Sequence, residues 1–209
     1  MISLEENSKI LFIGDSITDC GRKRENASEP GNGYVRFLAG MLGASYAELN
    51  LKFINTGISG DRVRNLRARW EEDCLAHKPD VVSIMIGIND TWRRFNAAKD
   101  HTDTAAYKKD YEFILRELES KLKCQIVIVE PFLLPVPEDR KEWRIDLDPK
   151  IGAARELAAE YAAAYVPLDG IFAAAALRNE AAYWTPDGVH PSIQGHMLIA
   201  ESWLEYTGL

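Results

Sequence analysis

Five short apolar runs, spaced along 209 residues and separated by amphipathic stretches, constrain this chain more than any other feature. The runs are residues 9–13 (KILFI), Phe53-Ile54, residues 81–86 (VVSIMI), residues 125–129 (QIVIV) and residues 165–168 (YVPL). VVSIMI shows no polar alternation, which marks a strand covered on both faces. Strands joined by helices that cross over the sheet run parallel. The stretches between the runs fit that role. Val35, Leu38, Met41, Leu42, Tyr46 and Leu49 keep helical register over residues 34–49. Tyr107, Tyr111, Ile114, Leu115, Leu118 and Leu122 do the same over residues 107–122, and Ile193, Met197, Ala200 and Leu204 mark a last helix. Further helices are expected over residues 61–76 with Asp61 as N-cap, over the alanine-rich residues 151–165, and over residues 171–177. Residues 130–146, with Pro131, Pro135 and Pro137, and residues 179–191 read as loops. The expected fold is α/β: one three-layer α/β/α domain over residues 1–209, built on a five-stranded parallel sheet. In such sheets ligands sit beyond the carboxyl ends of the strands, so the loop leaving the fourth strand is expected to wall the pocket.

Charge and composition remove several classes. Lys and Arg number 25 against 32 Asp and Glu, a net charge of −7, so no nucleic-acid partner is expected. Arg62, Arg64, Arg67 and Arg69 are offset by Glu71, Glu72 and Asp73, with Arg67–Glu71 and Arg69–Asp73 at helical pair spacing. No apolar run approaches the ~18 residues that a membrane span needs. The opening residues MISLEEN lack the basic and apolar parts of a signal peptide, which points to a cytoplasmic location. Cys20, Cys74 and Cys124 are odd in number and far apart, the pattern of reduced thiols. Trp143, Tyr183, Trp184, Trp203 and Tyr206 are more large aromatics outside the strands than one small core needs, so a homo-oligomer is expected.

Chemistry-bearing residues gather at the strand ends. The first strand runs into GDSITD, where Ser16 stands two residues after Gly14; a tight turn explains this as well as an exposed nucleophile does. The second leads to NTGISGD, in which Gly60 lets an oxygen approach its backbone N–H, or serves only the turn. The third leads to GIND, placing Asn89 at the same edge or at a helix cap. Near the other end stands DGVHP. Asp187 can hold Nδ1 of His190 and leave Nε2 as a general base, or the pair is simply an Asp-Gly turn. Asp15 and Asp90 are expected to brace these loops. His196 reads as a packed histidine rather than a metal ligand. Separately each signal is weak. Together they supply nucleophile, base, orienting acid and oxyanion donors, the full inventory for acyl transfer.

The blocks GDSITD, NTGISGD, GIND and DGVHPS resemble those of the SGNH, or GDSL-type, hydrolase superfamily. Its four naming residues match Ser16, Gly60, Asn89 and His190 in order, and the likeness spans residues 9–204. ILFIGDSITDCGR, ARWEED, VSIMIGIND and GVHPSIQGHMLIA are further similar to bacterial acetylxylan esterases. The resemblance implies a flavodoxin-like sheet of order 2-1-3-4-5 and a serine esterase without metal or other cofactor. Catalysis would fall to Ser16, His190 and Asp187, with Ser16, Gly60 and Asn89 forming the oxyanion hole. The expected substrate is a small acyl ester, an acetylated oligosaccharide, with Trp92 and Trp184 as candidate sugar contacts. A thioesterase, a lysophospholipase or an aryl esterase on the same triad remains the alternative. From another class comes a carbohydrate-binding protein with a vestigial triad.

Overall fold

A computed structural model describes residues 1–96 and 100–209. Its sheet comprises β1 (Lys9–Gly14), β2 (Lys52–Asn55), β3 (Val81–Met85), β4 (Gln125–Val129) and β5 (Ala164–Val166). The strands are all parallel, in the order β2-β1-β3-β4-β5. Helices α1 (Ser16–Asp19), α2 (Tyr34–Ser45), α3 (Val63–Ala68), α4 (Trp70–Asp73) and α5 (Ile88–Phe95) occupy the first half. The second half carries α6 (Thr104–Lys121), α7 (Arg144–Tyr161), α8 (Leu168–Ala175), α9 (Ala181–Trp184) and α10 (Ile193–Thr207).

Strand alternation sorts the core into two layers. Ile10 and Phe12 of β1 join the cluster holding Tyr34, Leu38, Ile199 and Trp203 of α2 and α10. Leu11 and Ile13 join the opposite cluster, with Val63 and Leu66 of α3 and Tyr111, Ile114 and Leu115 of α6. β3 is buried along its whole length, and its one polar residue, Ser83, accepts a hydrogen bond of 3.0 Å from Trp203 Nε1. That bond satisfies both buried polar groups and pins α10 to the centre of the sheet. In register, Gly14 of β1 lies beside Met85 of β3, and Met85 beside Val129 of β4. Three strand ends therefore open onto one edge. Among the described residues no helix is long and apolar enough to cross a membrane.

Several elements differ from expectation. Residues 61–76 do not form one helix: Arg62, not Asp61, holds the N-cap position, and the chain breaks at Arg69 between α3 and α4. Arg69 causes the interruption to be useful. Its guanidinium meets Asp61 (2.8 Å), Asp73 (2.7 Å) and the Thr56 carbonyl (2.7 Å), tying the helix pair to the chain beyond β2. Arg67 pairs with Asp110 of α6 instead of Glu71. Helix α7 begins at Arg144 and carries Pro149 within it, so the expected loop over 130–146 is shorter and includes a 3-10 turn at Glu138–Trp143. The helix read at 171–177 lies at Leu168–Ala175, and residues 179–191 contain α9. Trp203 and Trp143 are core residues, at 0% and 4% exposure, which removes them from any interface. Tyr183 and Tyr206 stay exposed.

Candidate active site

β1 ends at Gly14, where only glycine fits, because a Cβ would lie 2.3 Å from the Met85 carbonyl oxygen of β3. Asp15 caps α1, its carboxylate accepting from the Ile17 N–H at 3.0 Å. Ser16 is thus the first residue of a helix, half-buried, with an N–H that has no partner inside the helix. Its Oγ lies 3.0 Å from His190 Nε2. Across the ring, His190 Nδ1 lies 2.7 Å from Asp187 Oδ2. The other oxygen, Asp187 Oδ1, accepts from the backbone N–H of His190 (2.7 Å) and of Val189 (3.0 Å). Three donors fix one carboxylate. Burial opposes ionisation of Asp187, but the bonds from His190 and Val189 outweigh it and hold the carboxyl at about 2. The same carboxylate raises the His190 imidazole above its ordinary value, against the effect of partial burial.

The loop that carries this dyad is clamped from behind. Gly188 has φ +84°, and a Cβ on it would stand 2.4 Å from the carbonyl oxygens of both Leu134 and Val136. The Leu134 N–H donates to the Gly188 carbonyl at 2.9 Å. The segment after β4, expected to wall the pocket, therefore braces the triad loop by backbone contact. Farther on, it reaches the cleft through Trp143, which packs on Trp92 at 5.2 Å between ring centroids. Trp92 in turn lies 5.9 Å from the His190 ring.

Gly60 sits between β2 and α3 at φ +87°, a conformation that favours glycine. Asn89, the second residue of α5, is 8% exposed and donates from Nδ2 to the Asp61 carbonyl at 3.1 Å. One amide hydrogen orients the side chain, and the other has no partner among the described residues. Ser16, Gly60, Asn89, His190, Trp92 and Arg93 all line a single open cleft of about 360 Å³. Trp184 is not among its lining residues; it packs partly buried against the core, edge-on to Tyr183. His196 is buried, accepts from the Tyr34 N–H at 3.2 Å, and is pushed down to about 4 by that burial. Two cleft-edge groups escape a motif reading. Asp19 is buried and accepts from both N–H and Oγ of Ser59, at 2.9 Å each, which anchors the chain next to Gly60. Arg93 stands one helical turn after Asn89, and that i, i+4 spacing is the signal that points to it.

Beneath the site lie two buried acids. Burial pushes Asp15 and Asp90 each up to about 7, from an ordinary 3.8. Asp90 is fully buried, with Oδ2 accepting from the Val63 N–H at 3.2 Å. A carboxyl raised in the folded state holds its proton more tightly there than in the unfolded chain. Its contribution to stability is present in full below about pH 4 and is lost as pH rises to 7. Each proton contributes a slope of about 1.4 kcal/mol per pH unit in that window. Asp90→Asn keeps an acceptor for Val63 and has no proton to lose. Urea unfolding between pH 4.5 and 7 is expected to show a shallower fall in stability for Asp90→Asn than for the wild type. Equal slopes would refute the assignment.

A parallel α/β sheet with this serine–histidine–aspartate arrangement at its edge defines a class of ester hydrolases, and sequence comparison agrees. Residues 12–198 match the profile of the GDSL-like lipase/acylhydrolase family. The chain belongs to that family and is a carboxylic ester hydrolase. It is 40% identical to the acetylxylan esterase of Geobacillus stearothermophilus, covering 99% of this chain and 97% of the relative. The crystal structure of Axe2, an acetylxylan esterase from the same organism, superposes with a TM-score of 0.89 at 36% identity, covering 100% of this chain and 97% of that one. A Parabacteroides merdae structure described as a GDSL-like lipase superposes at 0.94 with 41% identity, covering 99% and 98%.

Proposed function

We propose that this chain is a serine esterase that removes acetyl groups from acetylated xylo-oligosaccharides. The observation that carries the reading is the continuous line from Asp187 Oδ2 to His190 to Ser16 Oγ, with gaps of 2.7 and 3.0 Å. His190 Nε2 takes the Ser16 proton as Oγ adds to the ester carbonyl carbon, and Asp187 stabilises the imidazolium that results. The oxyanion is met by the N–H groups of Ser16 and Gly60 and by the spare hydrogen of Asn89 Nδ2. As the ester C–O bond breaks, His190 gives that proton to the departing sugar oxygen, which leaves as a hydroxyl, and acetyl-Ser16 remains. Water, deprotonated by His190, adds to that acyl group; collapse releases acetate and restores Ser16.

The choice of acyl group and sugar is supported by the whole-length likeness to acetylxylan esterases. Catalytic mutants of Axe2 replace a serine, an aspartate or a histidine by alanine, the last two being three positions apart, as Asp187 and His190 are. A cleft of about 360 Å³ is at the small end of ligand sites, which favours a short acyl group. Action on imported oligosaccharides in the cytoplasm belongs to the same proposal, and cell fractionation tests it. The deciding experiment compares kcat/KM across acetylated xylo-oligosaccharides, acyl-CoA thioesters, lysophospholipids and p-nitrophenyl esters of rising chain length. The acetylated oligosaccharides are expected to lead by at least an order of magnitude. A lead by acyl-CoA, lysophospholipid or long-chain esters would overturn the assignment.

A further inference from the structure

The cleft contains a charge that the reaction cycle does not use. Arg93 lines it on α5, and the position of a Cβ on Gly60 would be 3.5 Å from Arg93 Nη2. The side chain is half-buried, yet among the described residues it makes no ion pair and no hydrogen bond. That is out of pattern in a chain with 32 carboxylates. The next residue, Arg94, reaches Asp146 at 2.9 Å, and Arg62 and Arg69 near the same edge each meet an aspartate, at 2.7 and 2.8 Å. A guanidinium that gives up part of its hydration needs an acceptor in return. Here the described residues supply none.

A second cation stands close by. Arg140 stacks over the rings of Trp143 and Trp92, with its guanidinium carbon at 4.0 and 5.4 Å from their centroids. Its Nε is buried and has no hydrogen-bond partner among the described residues. Its one ion pair among the described residues is with its chain neighbour Asp139, at 3.3 Å, and that carboxylate is 65% exposed. Trp92, which lines the cleft, thus has one guanidinium next to it in sequence and another over its ring.

We infer that Arg93 reads a carboxylate on the substrate, so that the preferred ester is an acetylated oligosaccharide that also bears a uronic acid. The inference rests on the oligosaccharide reading above and narrows it. Neutral sugar hydroxyls need no charge opposite them, whereas a carboxylate matches the two parallel N–H donors of a guanidinium. The net charge of −7 gives an anionic chain no long-range attraction. Discrimination has to arise from a local contact of this kind.

The test measures kcat/KM for acetylated xylo-oligosaccharides with and without a glucuronic acid substituent. The acid-to-neutral ratio is the readout, because any general loss of activity cancels in it. The wild type is expected to favour the acidic substrate about ten- to a hundredfold, the range of a charge-assisted pair. Arg93→Gln is expected to bring the ratio to near one through KM, and Arg93→Lys to retain part of the preference. A wild-type ratio near one overturns the proposal. So does an equal loss by Arg93→Gln on both oligosaccharides and on p-nitrophenyl acetate, which would put the charge at the oxyanion instead. A binding measurement on Ser16→Ala, using unacetylated acidic and neutral xylo-oligosaccharides, separates this claim from the one beneath it. Tighter acidic binding that weakens with salt supports it, and equal binding removes the carboxylate contact alone. Binding of neither removes the oligosaccharide reading and this inference with it.

Discussion

Ser16→Ala is expected to lower kcat on p-nitrophenyl acetate by about five to six orders of magnitude, the range found when a serine nucleophile is removed. The substitution deletes one oxygen from a half-exposed position at the start of α1 and leaves its backbone N–H in place. The cap from Asp15 to Ile17 is untouched, so the melting temperature should stay within a degree or two of the wild type. Because nucleophile and base act as one unit, adding His190→Ala to Ser16→Ala should cost almost nothing more. Purified protein, a continuous assay and a thermal melt are enough. Retention of wild-type rates by a folded Ser16→Ala protein would sink the serine-esterase mechanism.

Asp187→Asn should cost about three to four orders of magnitude in kcat, with KM little changed. The reason lies in how the two oxygens are used. Oδ1 accepts two backbone N–H bonds, so an asparagine must keep its carbonyl there. That turns the amide NH2 toward His190 Nδ1, where the wild-type carboxylate accepts at 2.7 Å. Facing a donor, Nδ1 gives up its hydrogen and the proton moves to Nε2. Ser16 Oγ then meets an N–H instead of a lone pair. The imidazole also loses the carboxylate that raises its pKa, so the acid limb of kcat/KM should move to lower pH while the plateau collapses. The sign follows from the base being the neutral form: wild-type activity falls as pH drops through the raised His190 value. A variant with the plateau intact would mean that Asp187 is not the orienting acid.

How much of this was visible in the residues differs between core and connections. The sheet was legible because each strand is a compact apolar run, and β3, buried on both faces, lacks polar alternation altogether. The site's components were legible because three of them follow strand ends directly, where α/β sheets place their ligands. What escaped depends on long-range contact. Pro131, Pro135 and Pro137 suggested a loop over residues 130–146 and a helix only from residue 151, yet α7 starts at Arg144 and runs through Pro149, where burial of Leu147, Ile151 and Ala154 outweighs the lost backbone bond. The break at Arg69 reflects partners at Thr56 and Asp61, which no local propensity contains. Trp203 has the look of a spare aromatic until Ser83, 120 residues away, is seen beneath it. Trp184 stands near Asp187 in the chain, but its ring packs on the protein and not in the cleft.

The separation of the two reacting atoms has a consequence for how the molecule comes to life. Ser16 and His190 stand 174 residues apart, and the shortest contact between them spans nearly the whole chain. A partly folded intermediate with β1, β2 and β3 paired would already hold the nucleophile and most of the oxyanion donors. It would still be inert. The base arrives only when α10 docks over Ser83 and Gly188 seats against Leu134. Turnover on refolding therefore requires the closing of a loop of 174 residues, which formation of the individual helices does not by itself bring about.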